Sequence, residues 1–262
     1  MMGTCRTNDS VLNEDVLREA LAHAEIPPAP VRYEEVVDST NAVALRMAAE
    51  GAPEWTVVAA GHQTAGRGRL GRRWESTSGQ SLLFSFVLRP TLPAGTPPLI
   101  TLLAGAALVD ACGDSGVRTR CKWPNDILLG DAKAGGILAE ARVTGDRFDY
   151  VVVGVGVNVG TVPPEVEGAA SLAPIPPGDL LGSFFAEFWS TYRYAGPERF
   201  VRRVLERYRP HCATLGLRVR GLTTRGEMVE GAAEDVDESG SLVVRTETGL
   251  ETVGFGEVEH LR

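Results

Sequence analysis

The stretch YVVVGVGVNV, residues 150–159, is an apolar run in which valine and glycine alternate towards the end. Its length and its β-branched side chains predict a strand. The preceding TGDR, residues 144–147, is a turn that joins this strand to GGILAEARV, residues 135–143, as a hairpin. Working outward, similar patterns predict further strands at 31–37, 56–61, 81–88, 117–123 and 126–129, and helices at 13–23, 38–50 and 99–111.

The rest of the chain predicts two more helices and then a change of architecture. From 179 to 194 the large apolar side chains fall on one helical face, and a helix at 197–209 is expected to stop at Pro210. From about Leu215, short alternating runs are broken by polar glycine turns, which is typical of a small all-β module. The predicted fold class is therefore α/β (α+β) with a mixed sheet over residues 1–214, followed by an all-β domain over 215–262.

Composition excludes several classes of function. The chain has 262 residues and a net charge of −8, so we expect no general affinity for nucleic acid or for anionic membranes. Its four cysteines, Cys5, Cys112, Cys121 and Cys212, form no C-x-x-C pair, which predicts free buried thiols in a reducing compartment. We find no signal-peptide pattern and no apolar stretch of about 18 residues, so the expected location is the cytoplasm.

GRGRLGRRW, residues 66–74, places four arginines in a chain that is acidic overall. Its glycines match G-x-G-x-x-G, the motif that opens a helix after a strand in dinucleotide-binding proteins. Here a polar segment leads into another predicted strand, so that kind of site is excluded. No G-K-[ST] follows to form a P-loop. A solvated arginine cluster remains an alternative, and a nucleic-acid surface would need further basic and aromatic residues.

Other positive groups follow predicted strand ends, in KWPND (122–126) and at Lys133. Alone, a lysine before a strand is typical of a solvated hairpin. The glycines of residues 66–74 alternate with arginines, so backbone and guanidinium groups can approach one ligand together. The segments together predict a concentrated positive pocket, whose natural ligand is a small anion with several phosphates or a carboxylate together with phosphates.

Five motifs resemble, in order, those of the biotin–protein ligases: DSTN (38–41), HQTAGRGRLGRRW (62–74), KWPNDI (122–127), KAGGILAE (133–140) and GVGVNV (154–159). The resemblance implies a class II synthetase-like catalytic domain and an SH3-like C-terminal domain. Some members of the family begin with a helix-turn-helix DNA-binding domain. Too few residues precede the first predicted strand for that domain, so we expect no DNA binding.

The resemblance also implies a two-step reaction. The biotin carboxylate attacks the α-phosphate of ATP, which yields biotinyl-5′-AMP and pyrophosphate. A lysine of a biotin carboxyl carrier domain, from acetyl-CoA carboxylase or a related carboxylase, then takes the biotinyl group. Mg²⁺ is expected on the ATP phosphates, with no separate protein metal site, and a homodimer is compatible with the resemblance.

Each motif carries residues to which the resemblance assigns roles. The predicted catalytic residues are Arg69, Lys122, Lys133 and Asp126. The predicted biotin contacts are Ser39, Thr40, Asn41, Gln63, Arg67, Gly68, Arg69, Lys133 and Gly136. The predicted ATP contacts are Arg69, Arg72, Trp74, Lys122, Asn125 and Asn158. Residues 66–74 are expected to close over the adenylate as a lid that excludes water.

Several of these roles have simpler alternatives. DSTN is also a helix N-cap sequence, and Trp74 is also suited to ordinary core packing. Asp126 either orients or deprotonates the acceptor lysine, or forms an ion pair with a neighbouring basic residue. The glycines of GVGVN are expected to let the backbone approach the ligand. For the whole protein, the alternatives are a lipoate–protein ligase and a non-catalytic regulator that binds biotin or a nucleotide.

Overall fold

The computed structural model describes residues 12–93, 95–162, 166–193, 196–222, 226–254 and 256–261. The helices are α1 (Glu14–His23), α2 (Thr40–Ala49), α3 (Pro97–Asp114), α4 (Pro177–Tyr192) and α5 (Pro197–His211). The strands of the larger sheet are β1 (Val31–Val37), β2 (Val57–Gln63), β3 (Ser81–Leu88), β4 (Arg120–Lys122), β5 (Asp126–Leu129), β6 (Ala132–Thr144) and β7 (Arg147–Asn158). The strands of the smaller sheet are β8 (Arg218–Leu222), β9 (Met228–Val236), β10 (Leu242–Arg245), β11 (Leu250–Val253) and β12 (Glu257–His260).

The larger sheet is mixed, as the sequence predicts. Its strand order is β1-β2-β3-β7-β6-β5-β4, in which β1 and β2 are parallel and every other neighbouring pair is antiparallel. β7 lies at the centre, between β3 and β6. The valine- and glycine-rich run at 150–159 therefore forms most of the central strand, with β1, β2 and β3 on one side and β4, β5 and β6 on the other.

Side chains of β7 alternate between two faces with different neighbours. On one face, Val151, Val153, Val155 and Val157 are buried in the main core, together with residues of α1, α3, α4 and α5. On the other face, Val152 packs with Val43 and Ala44 of α2. By the same alternation, Gly154 and Gly156 lie on the α2 face, where β7 presents backbone in place of side chains.

The apolar stripe predicted at 179–194 is core, as expected. Phe184, Phe185 and Phe188 of α4 are fully buried and pack against Phe84 and Phe86 of β3. Tyr192 and the partly buried Trp189 pack edge-on against Trp55. The ring centroids of Phe86 and Phe188 are 5.2 Å apart in an edge-to-face arrangement, which adds to the stabilisation from apolar burial.

Helix α3 corrects one statement of the sequence analysis. It spans 18 residues with a mean hydropathy of 1.2, so by length and composition it is a candidate membrane span, although the sequence analysis found no apolar stretch of that length. Within the described part of the chain, 72% of this window is buried inside the fold. The helix is apolar all round because helices and strands cover it on most sides.

Two predicted boundaries also change. The strand expected at 117–123 is reduced to β4, because its partner β5 is only four residues long and pairs with Arg120, Cys121 and Lys122. Helix α5 continues through Pro210 to His211. A proline in the last turn removes only one helical hydrogen bond, so it does not end the helix there.

The smaller sheet is antiparallel, in the order β11-β10-β9-β8-β12, and contacts the larger one through Trp123 and Thr214. The indole Nε1 of Trp123 donates to Gly240 O at 3.0 Å, and its backbone N–H donates to Thr214 Oγ1 at 3.0 Å. Thr214 Oγ1 also lies 3.0 Å from His260 Nε2. Burial and the nearby charge of Lys122 lower the pKa of His260, which favours a neutral ring at this contact.

Three of the cysteines are free and buried, as expected: Cys112, Cys121 and Cys212. Burial raises the pKa of the Cys112 thiol to about 11. Cys5 lies outside the described residues.

We expect Phe184→Ala to lower the free energy of unfolding by about 3–5 kcal/mol, because the ring is fully buried among other aromatic rings. Urea denaturation followed by circular dichroism measures this loss. Val143→Ala, at a position 42% exposed on β6, should change stability by less than about 0.5 kcal/mol. Equal losses for the two variants would contradict the assignment of the core.

Candidate functional site

A cavity of about 510 Å³ lies on the face of the larger sheet that carries α2. Its walls come from the start of α2, from residues 66–74 (hereafter the arginine loop), from the KWPND segment and from β8, β9 and β12 of the smaller sheet. All but one of the predicted site residues line it: Ser39, Thr40, Asn41, Gln63, Arg67, Gly68, Arg69, Arg72, Trp74, Lys122, Asn125, Asp126, Lys133 and Gly136.

The glycines of β7 form the floor of the cavity. A Cβ atom at Gly154 would lie 1.9 Å from Asn41 Oδ1, and one at Gly156 would lie 2.9 Å from Trp74 Cε2. The sequence predicts that these glycines let the backbone approach a ligand. Although both line the cavity, the contact that requires them is the close approach of the Asn41 and Trp74 side chains.

Asn41 lies across three strands, and hydrogen bonds from β3 and β6 hold it over β7. Gly154 beneath it pairs with Ser85 of β3 on one side and with Leu138 of β6 on the other. The Asn41 amide Nδ2 donates to Leu138 O at 3.1 Å and to Glu140 Oε2 at 2.9 Å. Its Oδ1 accepts from the Ser85 hydroxyl at 2.6 Å. Both donors of the amide are used within the protein, so Asn41 shapes the wall of the cavity that it lines.

The first turn of α2 is capped by a side chain of β2. Ser39 stands at the N-cap position but makes no side-chain cap hydrogen bond. Instead the Thr40 N–H donates to Gln63 Oε1 at 2.8 Å, and the Thr40 hydroxyl lies 3.1 Å from the same oxygen. The simple N-cap alternative for DSTN is therefore wrong, because Gln63 of β2 does the capping.

The arginine loop folds back on itself. Arg67 and Arg73 form an antiparallel bridge, Gly68 N donates to Arg72 O at 2.8 Å, and the loop turns at its tip with Gly71 at φ 77°. No helix follows the loop: the next regular element is β3. This confirms that the G-x-G-x-x-G pattern is not a dinucleotide-binding turn.

Two arginines join the loop to different walls. Arg67 Nη2 donates to Glu140 Oε2 of β6 at 2.7 Å. Arg69 Nη1 donates to Asn125 Oδ1 at 3.3 Å and to Gly256 O at 3.1 Å, and Gly256 immediately precedes β12 of the smaller sheet. Both sheets therefore hold the loop over the cavity.

Lys133 and Trp74 lie together on the glycine floor. Lys133 Nζ is 2.6 Å from Asp126 Oδ1 and 5.8 Å from the centroid of the Trp74 ring. The ion pair is the simpler alternative that the sequence analysis considered for Asp126. Trp74 Nε1 is buried and has no hydrogen-bond partner among the described residues, although the residue lines the cavity. A buried donor without a partner favours a ligand acceptor at this point.

Asn158 does not lie where the sequence analysis placed it. It is 5% exposed and is not part of the described cavity lining. Its Nδ2 donates to Ala170 O at 3.1 Å, and the Ser81 hydroxyl is 3.4 Å from its Oδ1. Asn158 therefore anchors the segment after β7, and its geometry does not support the predicted nucleotide contact.

Sequence reasoning missed two groups of residues. Ser85 and Glu140 act on the site through Asn41 and Arg67. Glu140 ends the KAGGILAE motif but was assigned no role, and Ser85 lies in a predicted strand outside every motif. The second group belongs to the smaller sheet and completes the cavity wall: Arg220, Gly221, Leu222, Met228, Val258 and Glu259. These residues are distant in sequence from every motif, so only the packing of the two sheets brings them to the site.

The described lining is strongly positive. Seven basic side chains line the cavity, against the two carboxylates of Asp126 and Glu259: Arg67, Arg69, Arg72, Arg73, Lys122, Lys133 and Arg220. Lys122 and Lys133 are the two lysines of the entire sequence. In a chain with a net charge of −8, this lining is suited to an anionic ligand. No group of three or more metal-binding side chains occurs among the residues that the structure describes.

Comparison with family models matches residues 33–158 to the Biotin/lipoate A/B protein ligase family and residues 214–261 to the Biotin protein ligase C terminal domain. The biotin--[acetyl-CoA-carboxylase] ligase of Mycobacterium tuberculosis is 34% identical over an alignment that covers 96% of each chain.

Two solved structures are also similar. A mutant of the biotin protein ligase of Aquifex aeolicus, in complex with biotin, is 25% identical with a TM-score of 0.72 and covers 88% of this chain and 99% of that one. The biotin protein ligase of Leishmania major, in complex with biotinyl-5-AMP, is 25% identical with a TM-score of 0.58 and covers 87% and 99%.

We expect Gly154→Ala to lower the free energy of unfolding by about 1–3 kcal/mol, because the new methyl group would overlap Asn41 Oδ1. In an Asn41→Gly background the same substitution should cost much less, and urea denaturation of the four proteins measures both effects. Gly113→Ala on α3 is the control, since its added Cβ meets open space. An equal cost of Gly154→Ala in both backgrounds would contradict the contact.

Proposed function

Because the chain belongs to the Biotin/lipoate A/B protein ligase family, we propose that it is an ATP-dependent biotin–protein ligase. It activates biotin as biotinyl-5′-AMP and transfers the biotinyl group to a lysine of a biotin carboxyl carrier domain. One observation carries this function: seven basic side chains from separate elements meet in one cavity beside the polar first turn of α2. The match of residues 214–261 to a biotin protein ligase domain favours biotin over lipoate.

The first step brings two anions together, which is unfavourable unless their charges are offset. The basic side chains neutralise the biotin carboxylate and the triphosphate, and they stabilise the charge that grows on the α-phosphoryl oxygens. Arginine supplies planar paired donors, while lysine supplies a compact charge. The biotin carboxylate oxygen forms a bond to phosphorus as the bond to pyrophosphate breaks.

Each wall of the cavity takes one part of the reactants. Ser39, Thr40 and Gln63 face the ureido ring of biotin, where their polar groups pair with its N–H and C=O groups. Arg69 and Lys133 lie beside the biotin carboxylate and the adenylate. The nucleotide contacts are assigned to Arg72, Trp74, Lys122 and Asn125.

In the second step, Asp126 orients the acceptor lysine. The amine of the carrier lysine attacks the acyl carbonyl, AMP leaves with the bridging oxygen, and Asp126 accepts the proton that the new amide loses. This role is compatible with the ion pair to Lys133, because the anionic phosphate of the adenylate competes with Asp126 for the same ammonium group.

We propose Mg²⁺ at this site as a companion of the ATP phosphates. Of the nearby carboxylates, Asp126 pairs with Lys133, and Glu140 pairs with Arg67. No set of protein ligands for a resident metal occurs among the described residues. When bound, the ion supplies further neutralisation of the phosphates.

The remaining assignments concern the setting of the reaction. We propose a cytoplasmic enzyme whose acceptor belongs to acetyl-CoA carboxylase or a related carboxylase. A homodimer is supported by the outer part of β6, which extends to Thr144, whereas its pairing with β5 ends at Gly136 and is followed by the contacts of Ile137 with Asn125. Light scattering at increasing protein concentration tests this association.

The function is tested by incubating the protein with ATP, Mg²⁺, a carrier domain and either biotin or lipoate. We expect biotin-dependent release of pyrophosphate and a carrier lysine that gains one biotinyl group by mass spectrometry. Because the ligase itself has only two lysines, self-labelling is easily told from transfer. Transfer of lipoate in place of biotin would overturn the proposed substrate, and biotin binding without turnover would indicate a regulator.

We expect Lys133→Ala to slow adenylate formation by roughly 10²–10³-fold, because it removes a charge next to the reacting carboxylate. Single-turnover release of pyrophosphate measures the rate. Arg32→Ala is a matched control, since Arg32 pairs with Glu34 on β1 and does not line the cavity. A Lys133→Ala rate equal to that of the control would exclude the assignment.

We expect Arg69→Ala to accelerate adenylate release more than it slows adenylate formation, because Arg69 joins the arginine loop to both sheets. A chase with excess unlabelled biotin and ATP measures release, and a single-turnover assay measures formation. Loss of formation with unchanged adenylate affinity would show that Arg69 does not act through the loop.

A further inference from the structure

We propose that Glu140 is a positioning residue that latches the arginine loop to the end of the cavity at the start of α2, where the ureido ring of biotin is assigned. The inference rests on the proposed ligase function and extends it to a residue that does not itself line the cavity. Its basis is that one carboxylate oxygen holds two side chains from different parts of the site.

The contacts converge on Glu140 Oε2. This oxygen accepts from Arg67 Nη2 of the arginine loop at 2.7 Å and from Asn41 Nδ2 of α2 at 2.9 Å. The Asn41 residue is 4% exposed, whereas the side chains of Arg67 and Glu140 are 42% and 30% exposed. The latch therefore has a fixed, buried side at Asn41 and a side that solvent reaches at Arg67.

The rigidity of Asn41 makes Glu140 a fixed point. Leu138 O and the Ser85 hydroxyl hold the Asn41 amide from two strands, and Gly154 leaves it room against the sheet. The amide in turn fixes the orientation of the Glu140 carboxylate. A preoriented carboxylate offers Arg67 a charge-assisted hydrogen bond without having to be ordered first.

Holding Arg67 holds the whole loop. Arg67 is bridged to Arg73, and Trp74 N donates to Gly66 O at 3.0 Å, so the two arms of the loop move together. When the loop opens to release the adenylate, the Arg67–Glu140 bond has to break. Glu140 therefore slows the escape of a water-sensitive intermediate and does not take part in the bond-making step.

The experiment compares wild type, Glu140→Gln, Glu140→Ala, Arg67→Ala and the double variant Arg67→Ala/Glu140→Ala. Each protein forms adenylate from labelled biotin and ATP, and its release is followed after a chase with unlabelled substrates. We expect release to be about 5- to 10-fold faster for Glu140→Ala, while single-turnover formation stays within about twofold of wild type. Glu140→Gln keeps a hydrogen-bond acceptor but loses the charge, so its release rate should lie between those of wild type and Glu140→Ala.

The double variant tests whether Glu140 acts through Arg67. In the Arg67→Ala background, Glu140→Ala should change release by less than about twofold, because the pair is already broken. Glu34→Gln is the matched control: it removes the charge of an exposed ion pair with Arg32 on β1 and should leave release unchanged. Thermal unfolding of each variant checks folding, and Glu140→Gln serves if Glu140→Ala is unstable.

Three outcomes overturn the latch. These are release from both Glu140 variants at the wild-type rate, an equal effect of Glu140→Ala with and without Arg67, and a loss of adenylate formation as large as the change in release. A wild-type protein that forms no adenylate would overturn the proposed function and the latch together. Normal wild-type adenylate with unchanged release from the variants would overturn the latch alone.

Discussion

The site depends on a strip of the central sheet that has no side chains. Gly154 and Gly156 of β7 leave the backbone bare on the α2 face, and Asn41 and Trp74 lie close against it. On the opposite face, the valines of the same strand are buried in the main core. One strand therefore supplies packing to one side and a cavity floor to the other, and period-two alternation keeps these functions apart.

Charge is the second constraint on the site. A cavity lined by seven basic groups would be unfavourable in an empty, rigid protein, and several of these groups have a carboxylate or carbonyl partner. Lys133 pairs with Asp126, Arg67 with Glu140, and Arg69 with Asn125 and Gly256. These basic side chains already lie at the cavity, so an anionic ligand can compete for them without a large rearrangement. The positive electrostatic potential of the cavity is therefore preorganised for two negatively charged reactants.

The smaller sheet belongs to the site as much as the larger one does. Trp123, the second residue of the KWPND segment, donates through its ring to Gly240 and through its backbone to Thr214. The same segment carries Lys122 and Asn125 into the cavity, while Arg69 reaches Gly256. The position of the second sheet therefore affects how the arginine loop lies over the cavity, even though no recognisable site motif lies in that part of the chain.

The sequence by itself determined most of the strands and helices, the mixed sheet and fourteen of the 28 described residues that line the cavity. It could do so because apolar periodicity is a local property and because short motifs kept functional side chains at strand ends. It could not determine what each side chain contacts. Asn41 and Asn158 look equally suited to a ligand in the sequence, yet the structure uses the amide of each to hold neighbouring segments. The roles of Ser85, Glu140 and the wall from the smaller sheet became visible only in three dimensions, because they depend on strand register and on sheet packing across long distances in the chain.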